Sequence, residues 1–171
     1  MTTPERIAPP TVAGERIALE GFLDYQRATL AMKCAGLDDK SLREASVPPS
    51  ELTLLGLVRH MADVERHWFR RILTGETSAT PIFYSDEDLD GDFRTSEQDT
   101  AEEAFTAWRA EVAAAREAAG GHSLDDLSVG TRANGDRFDL RWILLHMIEE
   151  YARHNGHADL IRERIDGATG A

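Results

Sequence analysis

The sequence predicts an all-α fold: a four-helix bundle with a long crossover between helices 2 and 3. Three observations predict it. Four segments of about 20 residues or more carry apolar side chains at helical spacing. No segment alternates apolar and polar residues as a half-buried strand does. A long acidic stretch, Glu76 to Asp99, separates the second segment from the third, and such a length suits a crossover between helices that run parallel. With 171 residues, 42% apolar and 29% charged, the chain is expected to form one domain over 1–171, with 1–12 as a flexible N-terminal arm.

The first helix is expected from about Ala13 to Ala35, after Pro9 and Pro10, with Leu19, Phe22, Leu23, Leu30 and Leu37 inward. Asp38 and Asp39 then cap a short helical turn that Pro48 and Pro49 end. The second long helix spans about Thr53 to Leu73, with Leu54, Leu57, Val58, Met61, Val64, Trp68 and Ile72 in one stripe and Gly75 as its stop. The third runs from Thr100 to about Ala119. Thr100 and Glu103 have capping-box spacing, Phe105, Trp108 and Val112 give its face, and an Ala-rich stretch permits close helix approach. Residues 133–136 read as a turn, and Asp139 caps the fourth helix, which extends to about Asp166. Core packing is the expectation for Trp68, Trp108 and Trp142.

Composition excludes several functions. A net charge of −12 disfavours nucleic acid and anionic membranes, whose phosphates need clustered Lys and Arg. No apolar run is long enough to span a bilayer. The N-terminal residues lack the pattern of a secretory signal, and a lone Cys34 permits no internal disulfide, so a cytoplasmic address is expected. Cys34 is expected as a small buried apolar residue.

The fourth helix carries the chemistry. With Met147 at the centre of its stripe and about 100° per residue, Leu140, Ile143, Leu144, Tyr151, Ala158, Ile161 and Ile165 lie within roughly 60°. His154 falls almost at the centre and Glu150 at the edge, with His146 and His157 a little further round. A bare carboxylate in a core costs several kcal/mol unless it is paired, protonated or bound to a cation. Glu150 and His154 are four residues apart, so their side chains meet on one face. His60, at the border of the second helix's stripe, is the candidate third ligand. Two imidazoles and one carboxylate suit a borderline divalent metal such as Zn2+, with Ni2+ an alternative, and three protein ligands with an open position mark the catalytic type of site. The alternative is a buried Glu–His or Glu–Arg hydrogen-bonded pair. Asp63 is expected as exposed helix polarity, and His67 as a surface imidazole.

Two runs carry a family resemblance: GLVRHMADVERHW at 56–68 and LHMIEEYARHNGH at 145–157. The chain resembles the DinB-like superfamily of bacterial four-helix bundles, in its mycothiol-dependent branch (maleylpyruvate isomerase-like and thiol S-transferase proteins). Many superfamily members have two His four apart in the last motif, then a basic residue, Gly and Gln. Here the first position is Glu150, the second His154, Gly156 is kept and His157 replaces Gln. The resemblance implies a divalent metal on His60, Glu150 and His154, and mycothiol as cosubstrate, its thiolate attacking a small-molecule electrophile. It also implies a possible homodimer. His157 and His146 are then second-layer candidates that orient substrate or a metal-bound water. Two other readings stay open: a metal-dependent hydrolase with His157 or His146 as base, and a non-enzymatic metal-binding, stress-related protein. A competing motif runs from Asp86 to Glu97 and fits the calcium-loop formula, but no helix is predicted to lead into it. A solvated acidic loop, serving as a lid beside the metal pocket, is the alternative.

Overall fold

The computed structural model describes residues 5–170. It is helical: α1 Glu15–Cys34, α2 Asp39–Leu42, α3 Leu54–Glu65 continued by a π-helical segment Arg66–Leu73, α4 Ala101–Gly120 and α5 Leu140–Asp166. Among the described residues β pairing is limited to two isolated bridges, Ser85 with Asp88 and Leu127 with Asp139. Of the expected arm, 1–4 lie outside the described residues. Residues 5–12 form no helix, and Arg6 lies over the Tyr25 ring.

Short polar side chains start every α-helix but α1 by occupying amides that have no partner within the helix. Asp38 accepts from the Ser41 amide, Thr53 from Gly56, Thr100 from Glu103 and Asp139 from Trp142. Thr100 also donates its hydroxyl to the Glu103 carboxylate at 2.9 Å. Glycines in the left-handed region follow three helices, Gly36 at φ 78°, Gly75 at φ 72° and Gly167 at φ 76°.

Cross-helix contacts fix the directions. Glu15 meets Arg141 and Lys33 meets Asp159, so α1 and α5 run parallel. Arg59 meets Asp99 and Arg66 meets Glu111, so α3 and α4 run parallel too. His60 meets Glu150 while Trp68 packs on Trp142, so α3 opposes α5. Parallel α3 and α4 require the long crossover. Asp63 holds that loop in place, accepting from the Ile82 and Phe83 amides at 2.6 and 2.9 Å. Asp63 is therefore buried rather than exposed helix polarity.

The core gathers Leu23 and Leu30 of α1, Leu57 and Met61 of α3, Phe105 of α4, and Leu140 and Met147 of α5. Through it runs a polar chain that touches all four long helices. Trp108 Nε1 donates to the Tyr151 hydroxyl, which donates to Glu65 Oε1, each at 2.8 Å. Arg27 clasps both Glu65 oxygens at 2.7 Å. Two expected core residues lie outward: Phe22 is 49% and Trp142 40% exposed. Trp142 lies on a second aromatic cluster at the rim, described below.

Candidate metal centre

The structure brings His60 of α3 and Glu150 and His154 of α5 together, with one donor atom from each within 4.8 Å of the others. His60 Nε2 and His154 Nε2 each stand 3.4 Å from Glu150 Oε1. A charge-assisted N–H···O bond closes to about 2.7–2.9 Å. A tetrahedral zinc ion with bonds of about 2.0–2.1 Å holds its donors about 3.3–3.4 Å apart. Both spacings lie at the second figure, so the residues present suit a divalent cation.

Each imidazole is oriented through its other nitrogen. His60 Nδ1 stands 2.7 Å from Asp92 Oδ2, which turns Nε2 toward Glu150. His154 Nδ1 faces His157 Nδ1 at 3.4 Å. The Phe93 ring stacks on His60, 4.2 Å between centroids, and lies 5.9 Å from His154. Burial would lower the His60 pKa, but Asp92 and Glu150 outweigh it and the net direction is upward. His154 and then His60 hold the Glu150 carboxyl well below the usual range. Burial, His154 and Arg153 lower His157, so it is neutral near pH 7. Glu150 and His60 keep 17% and 16% of their side-chain surface, so the cluster is not sealed.

Asp92 and Phe93 come from the acidic crossover, which the sequence reading did not connect to His60. Four residues of α3 hold that loop: Gly56, Arg59, His60 and Asp63, at spacing i, i+3, i+4, i+7. The Arg59 guanidinium donates to the Arg94 carbonyl at 2.6 Å and the Gly91 carbonyl at 3.1 Å. Gly56 lets the loop approach, since a Cβ there would stand 2.5 Å from the Phe93 carbonyl oxygen. The stripe was a usable signal: polar residues on a face of a buried helix imply that something covers that face. Within the stretch of the calcium-like motif two carboxylates have separate partners. Asp88 pairs with Arg94, whereas the buried Asp92 turns inward to His60.

His146 stands one turn before Glu150. Its ring stacks on Trp142 at 5.0 Å and meets Trp68 at 4.6 Å. It forms a second possible donor group with Glu149 and Glu150, but Nδ1 is 3.6 Å from Glu149 and Glu149 is exposed. His67 is half-buried against Trp68 rather than on the surface, and burial with Arg71, Arg132 and His146 lowers its pKa to about 4. Cys34 is fully buried, and its thiol is pushed up to about 12. It is therefore no nucleophile.

No helix is long and apolar enough to cross a membrane, among the described residues. No curated protein sequence matches the chain. The model of the mycothiol-S-transferase family matches residues 18–167 of the 171. That span holds the loop-binding face of α3, the acidic crossover and the Glu150–His154 pair. The chain belongs to the mycothiol-S-transferase family.

Proposed function

We propose that the protein is a metal-dependent enzyme that transfers a low-molecular-weight thiol, mycothiol in its own setting, to a small-molecule electrophile or isomerises such an electrophile. The observation that carries this reading is the pair of 3.4 Å spacings about Glu150 Oε1, with both imidazoles presenting Nε2. His60, Glu150 and His154 are the ligands, and Zn2+ suits two nitrogens and one carboxylate oxygen. A divalent cation held there would supply Lewis acidity that lowers the pKa of a thiol donor beside it.

The chain's own residues do the rest. Asp92 keeps the His60 tautomer, and His157 meets His154 at its outer nitrogen. Phe93, on the loop, covers His60 and keeps water from that side. Buried Cys34 takes no part, so the sulfur comes from the cosubstrate.

Elemental analysis of purified protein tests the ligand set. One divalent ion per chain is expected in the wild type and none in His154→Ala, with helicity retained by circular dichroism. Equal metal content in the two would overturn it. Thiol consumption with a panel of electrophiles is expected to require mycothiol and to stop on chelation. Turnover of esters or amides without any thiol would replace the reading with that of a hydrolase.

A further inference from the structure

α1 packs chiefly on α5, and α4 on α3, so the seam between α1 and α4 is bridged by side chains. Two arginine struts cross it. Near the start of α1, Arg16 donates to the carbonyls of Ala119 and His122 at 2.7 and 2.6 Å. Further along α1, Asp24 accepts from Arg116 at 2.9 Å. Between the struts lies a cavity of about 430 Å³. Its inner wall is Leu23, Phe69 and Leu144, all buried. Ala115 and Ala119 of α4 line it with single methyl groups, which leaves the space open. The side chains of Glu20, Asp24 and Arg116 stand half-exposed at its mouth.

The cavity is separate from the candidate metal centre. None of His60, Glu150 and His154 lines it. Leu144, its α5 residue, lies about 120° round the helix from Glu150, whose carboxylate turns to α3.

Charge decides what the cavity accepts. Three guanidiniums line it, and each already holds a carboxylate: Arg16 holds Glu20 at 2.9 Å, Arg27 holds Glu65 at 2.7 Å and Arg116 holds Asp24 at 2.9 Å. A charged ligand would have to break one of these pairs or enter uncompensated, beside an Arg27–Glu65 pair that is out of water. An uncharged ligand leaves all three intact. Guanidiniums beside an apolar wall also attract the face of an aromatic ring, as Arg27 lies 6.0 Å from the Phe69 centroid. An apolar cavity of about 150 Å³ holds one benzene, so this one has room for a larger ring system.

We propose that this cavity is a second ligand site, for an uncharged aromatic molecule of about two fused rings. Its rings lie on Leu23, Phe69 and Leu144, and its edge reaches the mouth between Arg16 and Arg116.

The probe is 2-naphthol, with the anion 2-naphthoate as its counterpart, each titrated calorimetrically into the full chain. Naphthol is expected to saturate at about one per chain and to bind at least about tenfold more tightly than naphthoate. Nuclear Overhauser contacts to the methyl groups of Leu23, Ala115 and Leu144 are expected in the wild type, with no substitution needed. Ala115→Phe fills the space and is expected to weaken naphthol at least about tenfold, while metal content by elemental analysis stays at the wild-type level. His154→Ala, with helicity retained, is expected to bind naphthol as the wild type does, so this site and the ligand set are tested apart. No binding of naphthol, naphthoate bound equally well, contacts confined to Trp142 and His146, or undiminished affinity in Ala115→Phe would each overturn the proposal. Loss of naphthol binding in His154→Ala would place the ring at the metal centre and overturn it too.

Discussion

Asp92 holds the outer nitrogen of His60 at 2.7 Å so that the inner one faces Glu150. Removing such a support costs about 10–100-fold in metal affinity. Asp92→Asn is therefore expected to weaken metal binding by that factor in competition with a chromophoric chelator, with the helical signal unchanged. Unaltered affinity would show that Asp92 only seals the loop. Gly56→Ala acts on the same support from below. Its new methyl stands 2.5 Å from the Phe93 carbonyl oxygen, which is backbone and cannot swing away. Overpacking of this kind costs about 1–3 kcal/mol, so the denaturant midpoint is expected to fall and amide exchange in 91–94 to quicken. An unchanged midpoint would mean that the loop yields freely. Glu150, His154 and His60 were legible in the sequence because each departs from an apolar stripe on a helix. Asp92 was not, because an acid among acids in a long loop carries no periodic signal.

At the scale of elements, α3 does two jobs on two faces. Its apolar stripe joins the core, and its polar stripe seats the crossover. Beyond Glu65 the helix widens into the π-helical segment, which sequence periodicity did not reveal, since eight residues are too few to separate one period from the other. The segment ends where Gly75 turns left-handed. There the amides of Val129 and Gly130 cap the carbonyls of Leu73 and Ile72 at 2.9 and 2.8 Å. His67 within it has a pH consequence. Its pKa falls from 6.5 in the unfolded chain to about 4 in the folded one. The unfolded state then binds more protons between those values, so this contribution to stability is complete above about pH 6.5 and is lost as pH falls toward 4. His67→Gln is expected to lose less stability over that interval than the wild type in parallel urea titrations. Identical slopes for the two proteins would contradict the burial of this ring.

At the scale of the molecule, the four long helices are tied by the chain Trp108, Tyr151, Glu65 and Arg27. Glu65 is fully buried and Arg27 is 4% exposed, so neither charge has water to fall back on. Glu65→Leu leaves the buried Arg27 with only the half-exposed Asp24 at 3.0 Å and is expected to cost about 3 kcal/mol. Tyr151→Phe removes one acceptor and one donor, for about 1–3 kcal/mol. Chemical unfolding measures both, and a loss under 1 kcal/mol for Glu65→Leu would contradict the network. The four long helices, the crossover and the caps Asp38, Thr100 and Asp139 were readable from periodicity and capping residues, whereas Ser50 was the expected cap of α3 and Thr53 takes that role. The network was also written in the sequence, as charges inside apolar stripes: Arg27 between Leu23 and Leu30, Glu65 between Met61 and Trp68. Stripe membership alone does not say which charges meet across the bundle, and that pairing is set by helix order. The same order, with α5 opposite α3, places His60 against the Glu150–His154 pair.

The visible spectrum of cobalt-loaded protein, recorded before and after addition of mycothiol, reads the donor set and the free position together. A new sulfur-to-cobalt charge-transfer band in the wild type, absent from His154→Ala, is the predicted result. A cobalt spectrum that mycothiol leaves unchanged would contradict a thiol-activating centre at His60, Glu150 and His154.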